Sequence, residues 1–322
     1  MRLLAPAKIN LHLRVGPPNP DGFHPLLSWF CTVGLFDTLT LKLDSAAAES
    51  PPHETAHATP GSPVISLATD RTDLPTDEKN LVVRVAKALA DTPSDESRRE
   101  DADRHAGRRE GVSAFLEKRI PMGAGLGGGS SDAARALLGL NNLWGIGWSA
   151  QRLSEFAAGF GSDLPFFFHG PSSICTGRGE VVRPIARPAA RFAVLVMPEI
   201  HMPTPAVYRR FDGMNLGQKG TVTREPDWNA WAKLPARQLL PLLVNDLETP
   251  AFSLIAALGG IREELERLLK QPVRMSGSGS SLFTLYDDEP EAQGAAERVQ
   301  TEMKMTAQHV RLAPAIQDDL AV

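Results

Sequence analysis

The chain has 322 residues, of which 42% are hydrophobic and 22% charged, with a formal net charge of -4. That length suits two globular domains better than one, and the charge gives no support for a nucleic-acid binder. Two cysteines, Cys31 and Cys175, are too few for a disulfide framework. They predict free thiols in a reducing cytoplasm, and no apolar run approaches the ~20 residues that cross a bilayer.

Met1 to Asn10 lacks the apolar core of a signal peptide and already reads as a strand. Residues 7–15 alternate: Ala7, Ile9, Leu11, Leu13 and Val15 face one way, and Lys8, Asn10, His12 and Arg14 face the other. Leu39, Leu41 and Leu43 alternate in the same manner. Residues 45–63 are rich in Ala, Pro, Ser, His and Glu and predict a loop. Asn80 to Ala90 carries apolar residues at helical spacing. Residues 91–111 are nearly all polar, with mixed charges, and predict a solvated insertion. Val112, Ala114 and Leu116 restore a strand. Helices are expected from Ser131 to Trp144 and over Ala150–Ala158.

The texture then changes, and a domain boundary is expected near residue 160, giving domains 1–160 and 161–322. Phe192 to Met197 predicts a strand buried on both faces. Ala236–Val244 and Gly260–Lys270 predict helices. Val273–Ser276 and Leu282–Tyr286 predict strands joined by Gly277-Ser-Gly-Ser-Ser281, whose turn chemistry suits a tight hairpin. Strands and helices mix without a strict βαβ rhythm, so the expected class is α+β.

Between the strand at 112–116 and the next helix lies Lys118-Arg-Ile-Pro-Met-Gly-Ala-Gly-Leu-Gly-Gly-Gly-Ser-Ser-Asp132. Small residues leave backbone N–H groups uncovered, and a helix start attracts anions, so the bend reads as a phosphate cradle. It satisfies G-x-G-x-x-G, but no second strand with a terminal acid follows ~20 positions on, as a dinucleotide site requires. It lacks the Lys that follows the last glycine of a P-loop. A plain connection would not need so many glycines, given their entropic cost. His53-Glu-Thr-Ala-His57 satisfies the zinc protease pattern, but Pro51-Pro52 and Pro60-Gly61 flank it, and no helix of the required length is expected there.

The bend resembles the central motif of the GHMP kinases, which phosphorylate small-molecule alcohols. Other segments match in order. Pro6-Ala-Lys-Ile-Asn-Leu11 resembles the opening strand. Asp21-Gly-Phe-His24 resembles the segment typical of the family member that takes a cytidyl substrate, with Phe23 where Tyr is common. Pro18-Asn-Pro20 replaces a usual Arg pair. Gly161-Ser-Asp-Leu-Pro-Phe166 resembles the catalytic aspartate segment. Asn245-Asp-Leu-Glu248 and Met275-Ser-Gly-Ser-Gly-Ser280 resemble C-terminal motifs.

The resemblance implies a GHMP kinase fold, with a ribosomal protein S5 domain 2-like N-terminal domain and a ferredoxin-like C-terminal domain. It implies ATP as phosphoryl donor, with Mg²⁺. ATP phosphates would lie on Pro121, Met122, Gly123, Ala124, Gly125, Leu126, Gly127, Gly128, Gly129, Ser130 and Ser131. Lys8 and Asp163 would be the catalytic pair, Asp163 taking the acceptor proton and Lys8 keeping it ionised. Ser131 or Asp132 would help hold Mg²⁺, and Asn80 and Lys118 would meet the adenosine end. Taken alone, these last two read equally well as a helix N-cap and a surface charge.

The acceptor implied is a cytidine diphosphate linked to a branched sugar alcohol, in isoprenoid-precursor synthesis. Phe23 and Tyr208 would stack on the pyrimidine, with Asn10 and His24 hydrogen-bonding and Thr204 nearby. Neither a nucleic-acid nor a membrane partner is expected, and the sequence leaves oligomeric state and metal ligands open. Two alternatives remain: a GHMP kinase of the mevalonate or homoserine type, and a nucleotide-binding module without catalysis.

Overall fold

The computed structural model describes residues 1–44, 63–93, 109–218 and 220–320. Most of the two expected insertions, 45–63 and 91–111, lies outside the described residues, and so does His53 to His57.

A long central hairpin organises the first sheet. Strand β1 (Arg2–Val15) pairs antiparallel along its length with β2 (Leu26–Asp44). Strand β3 (Ile65–Thr69) follows, then helix α1 (Leu81–Ala90), strand β4 (Gly111–Glu117) and helices α2 (Gly128–Leu143) and α3 (Ala150–Ala158). β4 pairs with the C-terminal half of β2, and β5 (Ser172–Gly177) pairs with its N-terminal half. β6 (Val181–Pro184) continues beyond β5, and β3 runs parallel to β4 at the other end. The domain break expected near residue 160 is therefore displaced: β5 and β6 belong to the first sheet, and the change of sheet falls between Pro184 and Phe192.

The second sheet begins with β7 (Phe192–Val196). Helices α4 (Thr204–Gly213), α5 (Trp228–Ala232), α6 (Ala236–Leu239), α7 (Glu248–Leu254) and α8 (Ala256–Leu269) follow, then β8 (Arg274–Met275), β9 (Leu282–Tyr286), α9 (Glu289–Arg298) and β10 (Ala307–Arg311). Its order is β10-β7-β9-β8, all antiparallel. The helix expected over 236–244 stops early: α6 passes into a 3-10 turn at Leu240–Leu242, because Pro241 has no N–H to continue the ladder.

Alternation sets the layers. Leu3, Leu39 and Leu41 bury against α1, α2 and α3, with Val82, Val85, Leu137 and Leu140. Ile9, Leu11 and Trp29 meet Leu195 and Phe283 between the sheets. β7 is buried on both faces as expected, with Ala193 and Leu195 in that inter-sheet core and Val194 and Val196 in the core under α4 and α8. Each fully buried Leu or Val stabilises the fold by roughly 1.5–3 kcal/mol.

His12 lies at the seam of the sheets. Its ring makes edge contacts with Trp228 and Trp231 at 5.7 and 5.4 Å. Its Nδ1 accepts the Val244 N–H at 3.2 Å, which requires the neutral tautomer protonated on Nε2. Burial, helped by the Arg14 charge, lowers its pKa to about 4. A depressed histidine contributes stability above its unfolded value near 6.5, and that contribution is lost as pH falls towards 4. His12→Gln should therefore flatten the acid side of the stability profile by up to about 3 kcal/mol between those limits. Urea unfolding at pH 7 and pH 4.5 checks this; parallel losses in both proteins would contradict it.

Candidate active site

A cavity of about 480 Å³ is lined by residues of both domains, a size suited to a small-molecule ligand. The glycine bend lines one wall from Pro121 to Ser130. Asn80, Lys118, Lys8, Asn10 and Asp163 also line the cavity, with Thr204, Tyr208, Gly277 and Ser278 contributed by the second domain.

The bend is shaped by what lies behind it. Gly125 has φ +77°, and a Cβ there would stand 2.1 Å from the Ser276 carbonyl oxygen. Gly127 has φ +68°, and a Cβ there would stand 2.9 Å from Lys8 Cγ. Both positions demand glycine on conformation and on space. Gly129 is different: a Cβ there meets nothing within 4 Å, yet the residue lines the cavity. Protein packing does not require that glycine, and a ligand against the backbone would. Helix α2 starts at Gly128, three positions earlier than expected, so Ser130 and Ser131 occupy its first turn. Poor intrinsic helicity hid the glycine turn from sequence reading. Ser130 lines the cavity; Ser131 is fully buried and does not.

Lys8 is 3% exposed, so it is not a solvated strand lysine. Its backbone N–H donates to Leu126 O at 2.9 Å. Its Nζ donates to Asn10 Oδ1 at 2.6 Å, lies 3.3 Å from Asp163 Oδ2 and stands 4.6 Å from the Phe30 ring centre. Asn10 Nδ2 donates to Ser28 Oγ at 3.0 Å, and Ser28 Oγ donates to the His12 carbonyl at 2.7 Å. Asp163 sits in the turn before the 3-10 segment Pro165–Phe168, with its side chain one-third exposed towards the cavity. The second glycine segment joins β8 to β9, as its turn chemistry predicts, and its Gly277 and Ser278 line the cavity. Ser276 Oγ donates to Gly125 O at 2.8 Å, and Ser281 N donates to Ala124 O at 3.1 Å.

On the second-domain side, Thr204 Oγ1 and Ser278 Oγ share a hydrogen bond at 2.7 Å. His24 Nδ1 donates to Gly16 O at 2.8 Å, and its ring lies 5.1 Å from that of Tyr208. Burial, with the Asp163 charge, pushes the Tyr208 hydroxyl pKa upward. Phe23 and His24 do not line the cavity, though His24 packs on Tyr208, which does. Phe23 is 50% exposed, so it is no core aromatic.

Sequence reading missed one group. Lys118 is not a surface charge; its Nζ is buried between Asp132 Oδ2, at 2.7 Å, and Asp37 Oδ2. Asp37 also accepts the backbone N–H of Arg119 and of Ile120. Burial opposes the Lys118 charge, but the two carboxylates overcome it and raise its pKa. Burial raises the Asp132 pKa as well, with the ammonium pulling the other way. The available signal was an acid alone in the apolar run Val33-Gly-Leu-Phe-Asp37. Asn80 is the N-cap of α1, its Oδ1 accepting the Val82 N–H at 2.9 Å, and it also lines the cavity.

Two family models match the chain: "GHMP kinases N terminal domain" over residues 80–171 and "GHMP kinases C terminal" over 224–304. A Synechococcus sp. (strain CC9902) protein named 4-diphosphocytidyl-2-C-methyl-D-erythritol kinase is 36% identical over 316 residues, 94% of this chain and 93% of its own. The chain belongs to the GHMP kinases, in the 4-diphosphocytidyl-2-C-methyl-D-erythritol kinase family. A crystal structure of 4-(cytidine 5'-diphospho)-2C-methyl-D-erythritol kinase aligns at TM-score 0.74 and 33% identity, covering 98% of this chain and 100% of that one. A mevalonate kinase structure aligns at TM-score 0.61 but 9% identity, covering 98% of this chain and 100% of that one, and shares the fold alone. The GHMP kinase fold expected from the motifs is thus the fold found. No helix among the described residues is long and apolar enough to cross a membrane.

Two glycine substitutions separate packing from ligand space. Gly125→Ala should cost about 2–4 kcal/mol, through positive φ and a backbone clash. Gly129→Ala, in the first helical turn, should hold or raise stability by up to about 1 kcal/mol, yet raise the KM for ATP about tenfold. Thermal unfolding and ATP titration of both variants check this. Unchanged ATP kinetics in Gly129→Ala would remove the cradle.

Proposed function

We propose that the chain transfers the γ-phosphoryl group of ATP to the 2-hydroxyl of 4-diphosphocytidyl-2-C-methyl-D-erythritol, in the methylerythritol phosphate route. The observation that carries the chemistry is the Lys8–Asp163 pair at 3.3 Å, in the same cavity as the glycine bend. The substrate assignment is supported by the family and by the Asp21-Gly-Phe-His24 segment.

Phosphoryl transfer needs positioning and charge stabilisation more than covalent help from the protein. The bend from Pro121 to Ser131 would hold the ATP phosphates, chiefly through backbone N–H groups. Asp163 would accept the acceptor hydroxyl proton as the new O–P bond forms and the bond from the γ-phosphorus to its bridging oxygen breaks, releasing ADP. Lys8 Nζ, held by Asn10 Oδ1 and 3.3 Å from Asp163 Oδ2, would stabilise the attacking oxygen. Asn80 and Lys118 would lie at the adenosine end. Phe23, His24, Tyr208, Thr204 and Asn10 would hold the acceptor.

Mg²⁺ is supported by two atoms of this chain: Asp132 Oδ1 and Ser131 Oγ are buried with no hydrogen-bond partner among the described residues, and of the two residues Asp132 is the one that lines the cavity. These hard oxygens, with the ATP phosphates, are the ligand type the ion prefers. When bound, the ion would neutralise phosphate charge. The free, buried thiols of Cys31 and Cys175 support a cytoplasmic setting.

Asp163→Asn should leave ATP binding within about twofold and lower kcat by about 10²–10⁴. Coupled ADP release, with the cytidyl acceptor beside mevalonate and homoserine, checks both chemistry and substrate. Full turnover by Asp163→Asn would remove its role as base, and equal or better turnover of mevalonate would overturn the acceptor.

A further inference from the structure

We propose that Arg178 binds the diphosphate link of the acceptor and so selects a nucleoside-diphosphate-linked alcohol over a free alcohol. This rests on the acceptor assigned above and names a residue that the sequence motifs left aside.

Arg178 projects from the turn between β5 and β6. The turn has a fixed shape: Gly177 and Gly179 flank Arg178 at φ +69° and +123°, and Gly179 N donates to Thr176 O at 3.0 Å. Its inner side packs on the catalytic segment. A Cβ on Gly179 would lie 3.3 Å from Ser162 O and 3.7 Å from Asp163 Oδ1. On its outer side the Arg178 guanidinium stands 4.6 Å from the Phe23 ring centre. The turn therefore touches the Asp163 segment through Gly179 and carries the Arg178 guanidinium to Phe23.

The acceptor must reach the same two places, with its pyrimidine at Phe23 and Tyr208 and its hydroxyl at Asp163. What lies between them in such a molecule is a diphosphate, with negative charge on both phosphorus centres. Acids stand beside the groups that would hold the acceptor. Asp163 is an acid, and Asp212 Oδ1 lies 3.3 Å from His24 Nε2 and is 43% exposed. The Lys8 ammonium is already engaged by Asp163 and Asn10. The Glu180 carboxylate accepts the backbone N–H of Arg178 at 2.6 Å, which holds that acid to the turn. The guanidinium itself has the Phe23 ring as its partner among the described residues. A planar fork stacked on an aromatic face keeps its N–H edge free, and that edge matches phosphate oxygens.

Steady-state kinetics of Arg178→Ala and Arg178→Lys in the full chain, with CDP and cytidine as competing probes, tests this. Arg178→Ala should raise the acceptor KM about tenfold and leave the ATP KM within about twofold. CDP inhibition should weaken about tenfold while cytidine inhibition holds, and Arg178→Lys should fall between. An unchanged acceptor KM with unchanged CDP inhibition, or an equal rise in both KM values, overturns the assignment of Arg178. Failure of the wild-type chain to turn over the cytidyl acceptor overturns the underlying acceptor assignment instead.

Discussion

The site depends on one close approach, of bare backbone to bare backbone. The glycine bend is pressed between the Ser276 segment of the second sheet and the side chain of Lys8. At Gly125 and Gly127 a single methyl group would collide on the inner side. With that side filled by protein, the bend presents its other side to the cavity. Ser276 Oγ completes the joint by donating to Gly125 O and accepting the Asn10 N–H. The opening strand, the bend and the C-terminal turn thus meet in one hydrogen-bonded unit. Lys8 belongs to it twice, through its backbone N–H to Leu126 O and through the stem beneath Gly127.

Buried charge holds the entry to the bend. Asp37 gathers the Arg119 and Ile120 amides and the Lys118 ammonium, which also grips Asp132 near the start of α2. The triplet ties the strand before the bend to the helix after it. Its burial is unfavourable unless each group keeps a partner, and Lys118 supplies one to both acids. Asp163, the proposed base, differs in its exposure. That carboxylate is partly open and faces a cation that is wholly enclosed, an arrangement suited to receiving a proton from a bound alcohol.

Much of this was legible in the residues. Alternation over 7–15 placed Lys8 and Asn10 on one face, and the glycine count marked the bend. The helix at 81–90 followed from its apolar spacing, and the helix expected over 150–158 is found there. Other elements were not legible for stated reasons. The start of β2, Leu26 to Asp37, mixes apolar and polar residues because both its faces are covered, so no period shows. β5 and β6 carry no signal of which sheet they join, since pairing partners are distant in sequence. Helix α4 opens on Thr204-Pro205, where a proline is tolerated only because its first-turn position needs no N–H donor.

The sequence alone determined local conformation and chemical inventory: where glycine frees the backbone, which faces are apolar, and which side chains can donate, accept or carry charge. These properties belong to a residue and its near neighbours. The tertiary structure alone decided burial and proximity. It enclosed Lys8 and set it 3.3 Å from Asp163, and it turned Lys118 from a surface charge into a buried clamp. It also placed Arg178 over Phe23, far away along the chain. Such pairs arise only when strands close on one another, because separation along the chain carries no information about distance across a sheet.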